Sequence, residues 1–145
     1  MAETAGLDRQ ICFSLYAASR AVTGLYRQAL GELGLTYPQY LVLLVLWQRG
    51  EISVGDLGAA LALDSGTLSP LLKRLEAHGL VDRSRGAADE RTVLVRPTAA
   101  GLELRERATG LPDRLASAIG LAPAEFRQLQ DLLDRVRAAA TSHPL

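Results

Sequence analysis

Apolar residues recur at three- and four-residue steps through most of this chain, and at two-residue steps in a single stretch. The first helical run opens at Asp8, a residue able to cap a helix start. It carries Ile11, Leu15, Ala18, Val22 and Leu25 on one face and reaches about Leu33, with Gly34 as its stop. Thr36 and Pro38 open a second helix that ends at Gly50. Ser53, with Asp56 three residues on, opens a short third helix over Val54 to Leu61. Asp64 opens a fourth, whose apolar face is Leu68, Leu71, Leu72 and Leu75 and whose end is Gly79. Pro70 falls inside it. A residue without an N–H removes a helical hydrogen bond there, so a late start or a distorted turn is expected.

The period changes after Gly79. Leu80 to Arg85 and Thr92 to Arg96 read as strands, joined by the polar tip Gly86-Ala87-Ala88-Asp89-Glu90-Arg91. A long fifth helix follows from Thr98, bent or broken by Gly110, Pro112 and Gly120. A sixth starts near Pro123 and fades by Ala140. The pattern predicts a mainly α fold of five or six helices with one small β-hairpin. Its 145 residues are enough for one domain with a genuine core. Hydrophobic residues make up 48% of the chain and aromatics 5%, which favours aliphatic helix packing over a β-sandwich.

No apolar run approaches the roughly 18 residues of a membrane span; the longest is Tyr40 to Trp47. Met1 to Thr4 lacks the basic and apolar regions of a secretory signal, and one cysteine offers no disulfide framework. A cytoplasmic location without membrane association is the expectation. His78, His143 and Cys12 have no metal-ligand spacing, so neither a metal nor any other cofactor is expected.

The 16 basic and 16 acidic residues cancel, which argues against a non-specific polycation. Lys73, Arg74, Arg83, Arg85, Arg91 and Arg96 nevertheless outnumber Glu76, Asp82, Asp89 and Glu90 between positions 73 and 96. That excess falls on a short helix, a two-residue turn (Ala62-Leu63), a second helix and a hairpin, the layout of a winged helix-turn-helix over about residues 51–97. Ser65, Gly66, Thr67 and Ser69 place small polar groups at the start of the second helix, with Lys73 and Arg74 after them. Such an end suits the major groove, where amides meet phosphate and hydroxyls read base edges. Arg91 at the hairpin tip suits a neighbouring minor groove, with Asp89 placed to orient it, and Arg83 and Arg85 lie on the strand leading there. Each cation taken alone is equally explained as part of a solvated face; the ordered arrangement carries the reading.

The stretch Leu63-Asp64-Ser65-Gly66-Thr67-Leu68-Ser69-Pro70-Leu71-Leu72-Lys73-Arg74-Leu75-Glu76, with Gly79-Leu80-Val81 and Asp89-Glu90-Arg91, resembles the MarR family of bacterial regulators. Adding Cys12-Phe13, Tyr16-Ala17, Tyr26 and Tyr37-Pro38-Gln39-Tyr40, the chain is similar to one branch, the organic hydroperoxide resistance regulators. The likeness runs from Leu7 to about Leu133. It implies a single domain over 1–145, with helices at about 8–34 and 98–140 forming a dimerisation region, a pseudo-palindromic double-stranded DNA operator, and no enzymatic activity. A proline within the recognition helix is also a family feature.

Cys12 is the only thiol, so it is either filling or chemistry. Thiols react as thiolates, and an anion near a helix start is favoured by the dipole, as is one that accepts from phenols. Tyr16 at i+4 shares its face. Tyr26 lies fourteen residues on, roughly 21 Å along a straight helix, so it reaches Cys12 only from a second subunit or across a broken helix. The resemblance implies the former, with the partner's Tyr26 and Tyr37 bonding the thiolate; Tyr40 reads as core. An organic hydroperoxide would then oxidise Cys12 to the sulfenic acid and release DNA. With no resolving cysteine after Cys12, the sulfenic acid must meet an external low-molecular-weight thiol, cyclise onto a backbone nitrogen or over-oxidise.

Two alternatives stay open at this point: a regulator released by a non-covalent ligand, and a thiol peroxidase, which lacks a resolving cysteine for turnover. Asp64-Ser65-Gly66-Thr67 superficially matches an aspartic-protease triplet, but that chemistry needs two such aspartates facing each other on a β-rich fold.

Overall fold

A computed structural model describes residues 6–143 and 145. The elements follow as α1 (Ile11–Gly31), α2 (Tyr37–Arg49), β1 (Ile52–Ser53), α3 (Val54–Leu61), α4 (Ser65–Ala77), β2 (Val81–Arg85), β3 (Val93–Pro97), α5 (Ala99–Arg107), α6 (Leu111–Ile119) and α7 (Pro123–Ser142). The residues up to Gly110 form one compact unit and Leu111–Leu145 another.

Four of the helix starts are written in local side-chain chemistry. Thr36 caps α2 in a reciprocal box: its Oγ1 accepts from the Gln39 amide at 3.4 Å, and Gln39 Oε1 accepts from the Thr36 amide at 3.0 Å. Ser53 Oγ accepts from the Asp56 amide at the start of α3, Asp64 Oδ1 from the Thr67 amide at the start of α4, and Thr98 Oγ1 from the Gly101 amide at the start of α5. Each satisfies a donor that the first turn leaves unpaired.

The first helix departs from expectation. Leu7–Arg9 forms a separate 3-10 turn, and α1 starts only after Gln10, whose φ of −90° and ψ of 110° are extended. Asp8 is therefore two residues too early to cap α1, because the extended Gln10 interrupts the helical path. Cys12 becomes the second residue of the helix instead of closing its first turn. The fifth run breaks as Gly110 and Pro112 suggested, into α5 and α6, giving seven α-helices among the described residues.

The hairpin is also not alone. Its strands pair from Val81 opposite Pro97 to Arg85 opposite Val93, and β1 adds a third antiparallel strand, with Ile52 opposite Val95. Two residues are too few to show a period-2 pattern, so β1 is invisible to sequence reading. Its function is to hold the α3 entrance against the hairpin.

The core of the first unit collects Leu30, Val42, Leu43, Leu46, Leu57, Leu68, Leu72, Leu75, Val81 and Val95, all nearly inaccessible. The joint between α4 and the hairpin is closed by backbone: the Leu80 amide donates to Leu75 O, and the Thr98 amide donates to Leu80 O. Gly101, in the first turn of α5, lies directly against that Leu80 carbonyl, where a Cβ would collide with the oxygen. Trp47 Nε1 donates to the Gly101 carbonyl at 2.9 Å, tying α2 to the same point.

Gly101→Ala is expected to lower stability by about 1–3 kcal/mol, the usual range for overpacking a rigid site. Gly55→Ala, on an exposed helical position whose Cβ meets nothing within 4 Å, is expected to raise it by roughly 0.5–1 kcal/mol. Denaturant melts of the two variants against the parent check the contrast.

Candidate functional site

The candidate recognition surface is the solvent face of α4. Leu68, Leu71, Leu72 and Leu75 are buried, which leaves Ser65, Gly66, Thr67, Ser69, Lys73 and Arg74 exposed. Gly66, Ser69 and Lys73 follow at three- and four-residue steps along one stripe. Pro70 is exposed on that side, where its missing N–H costs no packing, and α4 continues through it. Asp64 holds the start of α4: the Thr67 amide, with help from that of Gly66, keeps its carboxyl below the ordinary aspartate range.

The wing is braced against α4. Glu76 accepts from the Arg83 amide at 3.2 Å and from its guanidinium at 3.1 Å, an interaction the sequence reading did not anticipate. The Arg83 hydrogen bond lowers the Glu76 carboxyl from its ordinary value. Arg85 reaches the Glu90 carbonyl at 3.4 Å across the loop, and Gly86 donates to Thr92 O at 2.7 Å. Asp89 acts on backbone: its Oδ1 accepts from the Arg91 amide at 2.9 Å, an Asx-type turn that shapes the tip.

The tyrosines divide into two places. Tyr26 and Tyr37 stack with ring centroids 4.4 Å apart, and Tyr40 lies 5.9 Å from Tyr26. Burial raises the phenol pKa of all three, and their mutual proximity adds to this at Tyr26 and Tyr40. They therefore remain neutral hydrogen-bond donors throughout the physiological range. Tyr16 stands apart, 60% exposed, with the Arg20 guanidinium 5.5 Å from its ring centre. Phe13, Tyr16, Ala17, Arg20 and Ala21 line a shallow groove on α1.

Cys12 is exposed in the first turn of α1. Because α1 runs unbroken from Ile11 to Gly31, the rise from Cys12 to Tyr26 is roughly 21 Å, and one chain does not bring the two together. Around the thiol, Leu7 (59%), Ile11 (67%) and Phe13 (40%) are open to solvent. On α7, Leu129, Leu132, Leu133 and Val136 form a stripe at helical spacing, and no residue of that helix is buried. Among the described residues no His/Cys/Asp/Glu cluster is arranged to hold a metal ion, and no helix is long and apolar enough to cross a membrane.

The Asp64 and Glu76 carboxylates are both lowered by native contacts, so their contribution to stability is complete above their ordinary values and fades as pH falls through the depressed ones. Thermal melts should hold level near neutrality and drop in acid. In Glu76→Gln the neutral-pH melting temperature should be lower and the acid decline shallower; an unchanged decline would remove Glu76 from that role.

Comparison with known proteins agrees with this geometry. The sequence profile of the transcriptional regulators SarA/Rot matches residues 24–107. An organic hydroperoxide resistance transcriptional regulator of Bacillus subtilis (strain 168) is 43% identical over 127 residues, 88% of this chain and 86% of that protein. Among solved structures, reduced AbfR bound to DNA, a Staphylococcus epidermidis protein, superposes with a TM-score of 0.79 at 34% identity, over 93% of this chain and 94% of that one. AbfR has also been solved in a disulfide form. The PcaV regulator of Streptomyces coelicolor, in complex with its natural ligand, gives a TM-score of 0.87 at 28% identity, over 95% and 99% of the two chains. The chain belongs to the MarR family of winged-helix transcriptional regulators, in the branch of the organic hydroperoxide resistance regulators.

Proposed function

We propose that this chain works as a homodimeric, peroxide-responsive repressor that binds a pseudo-palindromic DNA operator when Cys12 is reduced. The observation that carries this reading is the separation within one chain of an exposed thiol at one end of α1 from Tyr26 far along the same helix, where it packs on Tyr37 at the start of α2. A second copy of the chain, seated on the open apolar faces of α1 and α7, supplies what the first lacks: the partner's Tyr26 and Tyr37 donate to the Cys12 thiolate. The two compact units then act as one functional domain, with residues 8–34 and 98–140 at the dimer interface.

On DNA, Ser65, Gly66, Thr67 and Ser69 face base edges from the start of α4, and Lys73 and Arg74 neutralise phosphates. Arg85 and Arg91 serve the wing, with Arg91 reaching the minor groove. Arg83 acts through Glu76 to fix the wing angle, and Asp89 shapes its tip.

The chemical step balances without a cofactor. The Cys12 thiolate attacks the terminal oxygen of an organic hydroperoxide, an S–O bond forms and the O–O bond breaks. The alkoxide takes a proton from a neighbouring phenol or from water and leaves as the alcohol. Sulfur is oxidised to the sulfenic acid and the peroxide is reduced. An external low-molecular-weight thiol condenses with the sulfenic acid to give a mixed disulfide and water. The apolar surroundings of Phe13 favour organic hydroperoxides over hydrogen peroxide. The adduct at the interface displaces the tyrosines and alters the spacing of two recognition helices that must meet half-sites one turn apart, roughly 34 Å. The resemblance in fold to AbfR, solved both reduced on DNA and as a disulfide, supports a thiol-based response.

Duplexes selected from a randomised pool give the probe for anisotropy measurements before and after cumene hydroperoxide, with and without free cysteine. Wild type is expected to release the duplex, and Cys12→Ser to hold it. Release by both variants, or by neither, overturns the redox reading and turns the search to a non-covalent ligand; sustained multiple-turnover loss of peroxide would instead mark a thiol peroxidase.

Lys73→Ala and Arg74→Ala should each flatten the dependence of log K on log salt by about 0.9, one phosphate contact apiece. Arg83→Ala is expected to weaken binding while leaving that slope within error of the parent, which separates a brace from a phosphate contact.

A further inference from the structure

We infer that Tyr40 and Trp47 are positioning residues that link the tyrosine cluster to the root of the wing, so that displacement of Tyr26 or Tyr37 is transmitted to the recognition helix through α2 and α5. This rests on the proposed thiol chemistry at Cys12 and adds the route by which it reaches DNA.

Each step is a direct contact within the first compact unit. Tyr40 is 2% exposed and packs against Tyr26 at 5.9 Å. Seven residues on, two turns of α2, Trp47 meets the Tyr40 ring edge-on, with centroids 6.2 Å apart and planes 69° to one another. The Trp47 indole N–H donates to the Gly101 carbonyl at 2.9 Å. Gly101 in turn lies against the Leu80 carbonyl with no room for a Cβ, and Leu80 is the residue that joins α4 to β2.

The chain of contacts is stiff where transmission needs stiffness. Aromatic rings do not compress, and the Gly101–Leu80 contact is backbone on backbone, so α5 cannot slide at that point without moving the end of α4. Thr98 doubles the joint: its amide donates to Leu80 O, and its hydroxyl donates to Gly79 O. The indole hydrogen bond is the directional contact between α2 and α5, which also touch by packing. Breaking it weakens the coupling at that point while leaving Cys12 and the exposed face of α4 unaltered.

Trp47 is the only tryptophan of the chain, which makes the link observable. Reduced protein is mixed with cumene hydroperoxide and free cysteine while tryptophan emission and remaining free thiol are followed in parallel. The expected result is an emission change that tracks loss of the Cys12 thiol and is missing in Cys12→Ser. Thiol loss with unchanged emission overturns the link and leaves the redox reading standing. A thiol that does not react in wild type overturns both.

Trp47→Phe keeps a ring against Tyr40 and removes the N–H. With folding checked by circular dichroism, it is expected to bind the selected duplex and to lose its thiol at the parent rate. Its affinity drop on oxidation should be smaller by about tenfold, the scale of one lost hydrogen bond. Release equal to wild type would overturn the link.

Discussion

The backbone contact between Gly101 and Leu80 is the constraint on which the first unit depends. Leu80 closes α4 through its amide, receives Thr98 through its carbonyl and leaves space for nothing larger than hydrogen at position 101. Three elements meet there: the end of the recognition helix, the first strand of the wing and the start of α5. The Trp47 indole adds α2 to the same point. A winged helix reads DNA with two separate parts, a helix and a hairpin, whose relative angle must be fixed before either finds its groove. This joint and the Glu76–Arg83 pair both tie the hairpin to α4, one by backbone packing and the other by charge.

The electrostatics follow the same division of labour. A chain with no net charge can still bind a polyanion if its cations are placed and its carboxylates are occupied. Asp64 is spent on the first turn of α4, Glu76 on Arg83, and Asp89 on the wing turn. Three of the acidic residues nearest the DNA face thus hold the backbone or the wing, and Lys73 and Arg74 stay exposed on the helix. Local arrangement decides the sign of the surface that DNA meets, and the overall balance does not.

The thiol and the tyrosine cluster show the opposite situation, two features that one chain keeps apart. An unbroken α1 keeps Cys12 and Tyr26 apart, while the rings of Tyr26, Tyr37 and Tyr40 close on one another. Exposed apolar residues lie beside Cys12 and, separately, along α7. On the function proposed above, sensing and assembly become the same event, since altering the contacts of the thiol would alter the interface.

Much of this was legible in the sequence because it is local. Thr36, Ser53, Asp64 and Thr98 mark helix starts by capping the next turn, and Leu68, Leu71, Leu72 and Leu75 mark the buried side of α4 by spacing alone. The distance from Cys12 to Tyr26 also follows from counting residues along one helix. The tertiary structure alone decided what depends on residues far apart in the chain: the pairing of Ile52 with Val95, the Trp47 bond to Gly101, the approach of Leu80 to a bare Cα, and the capture of Arg83 by Glu76. It also moved the start of α1 to Gln10, two residues past Asp8, and gave Asp89 the Arg91 amide as its partner. Periodicity and capping report what a residue does to its neighbours within a few positions; which distant backbone it meets is set only when the elements pack.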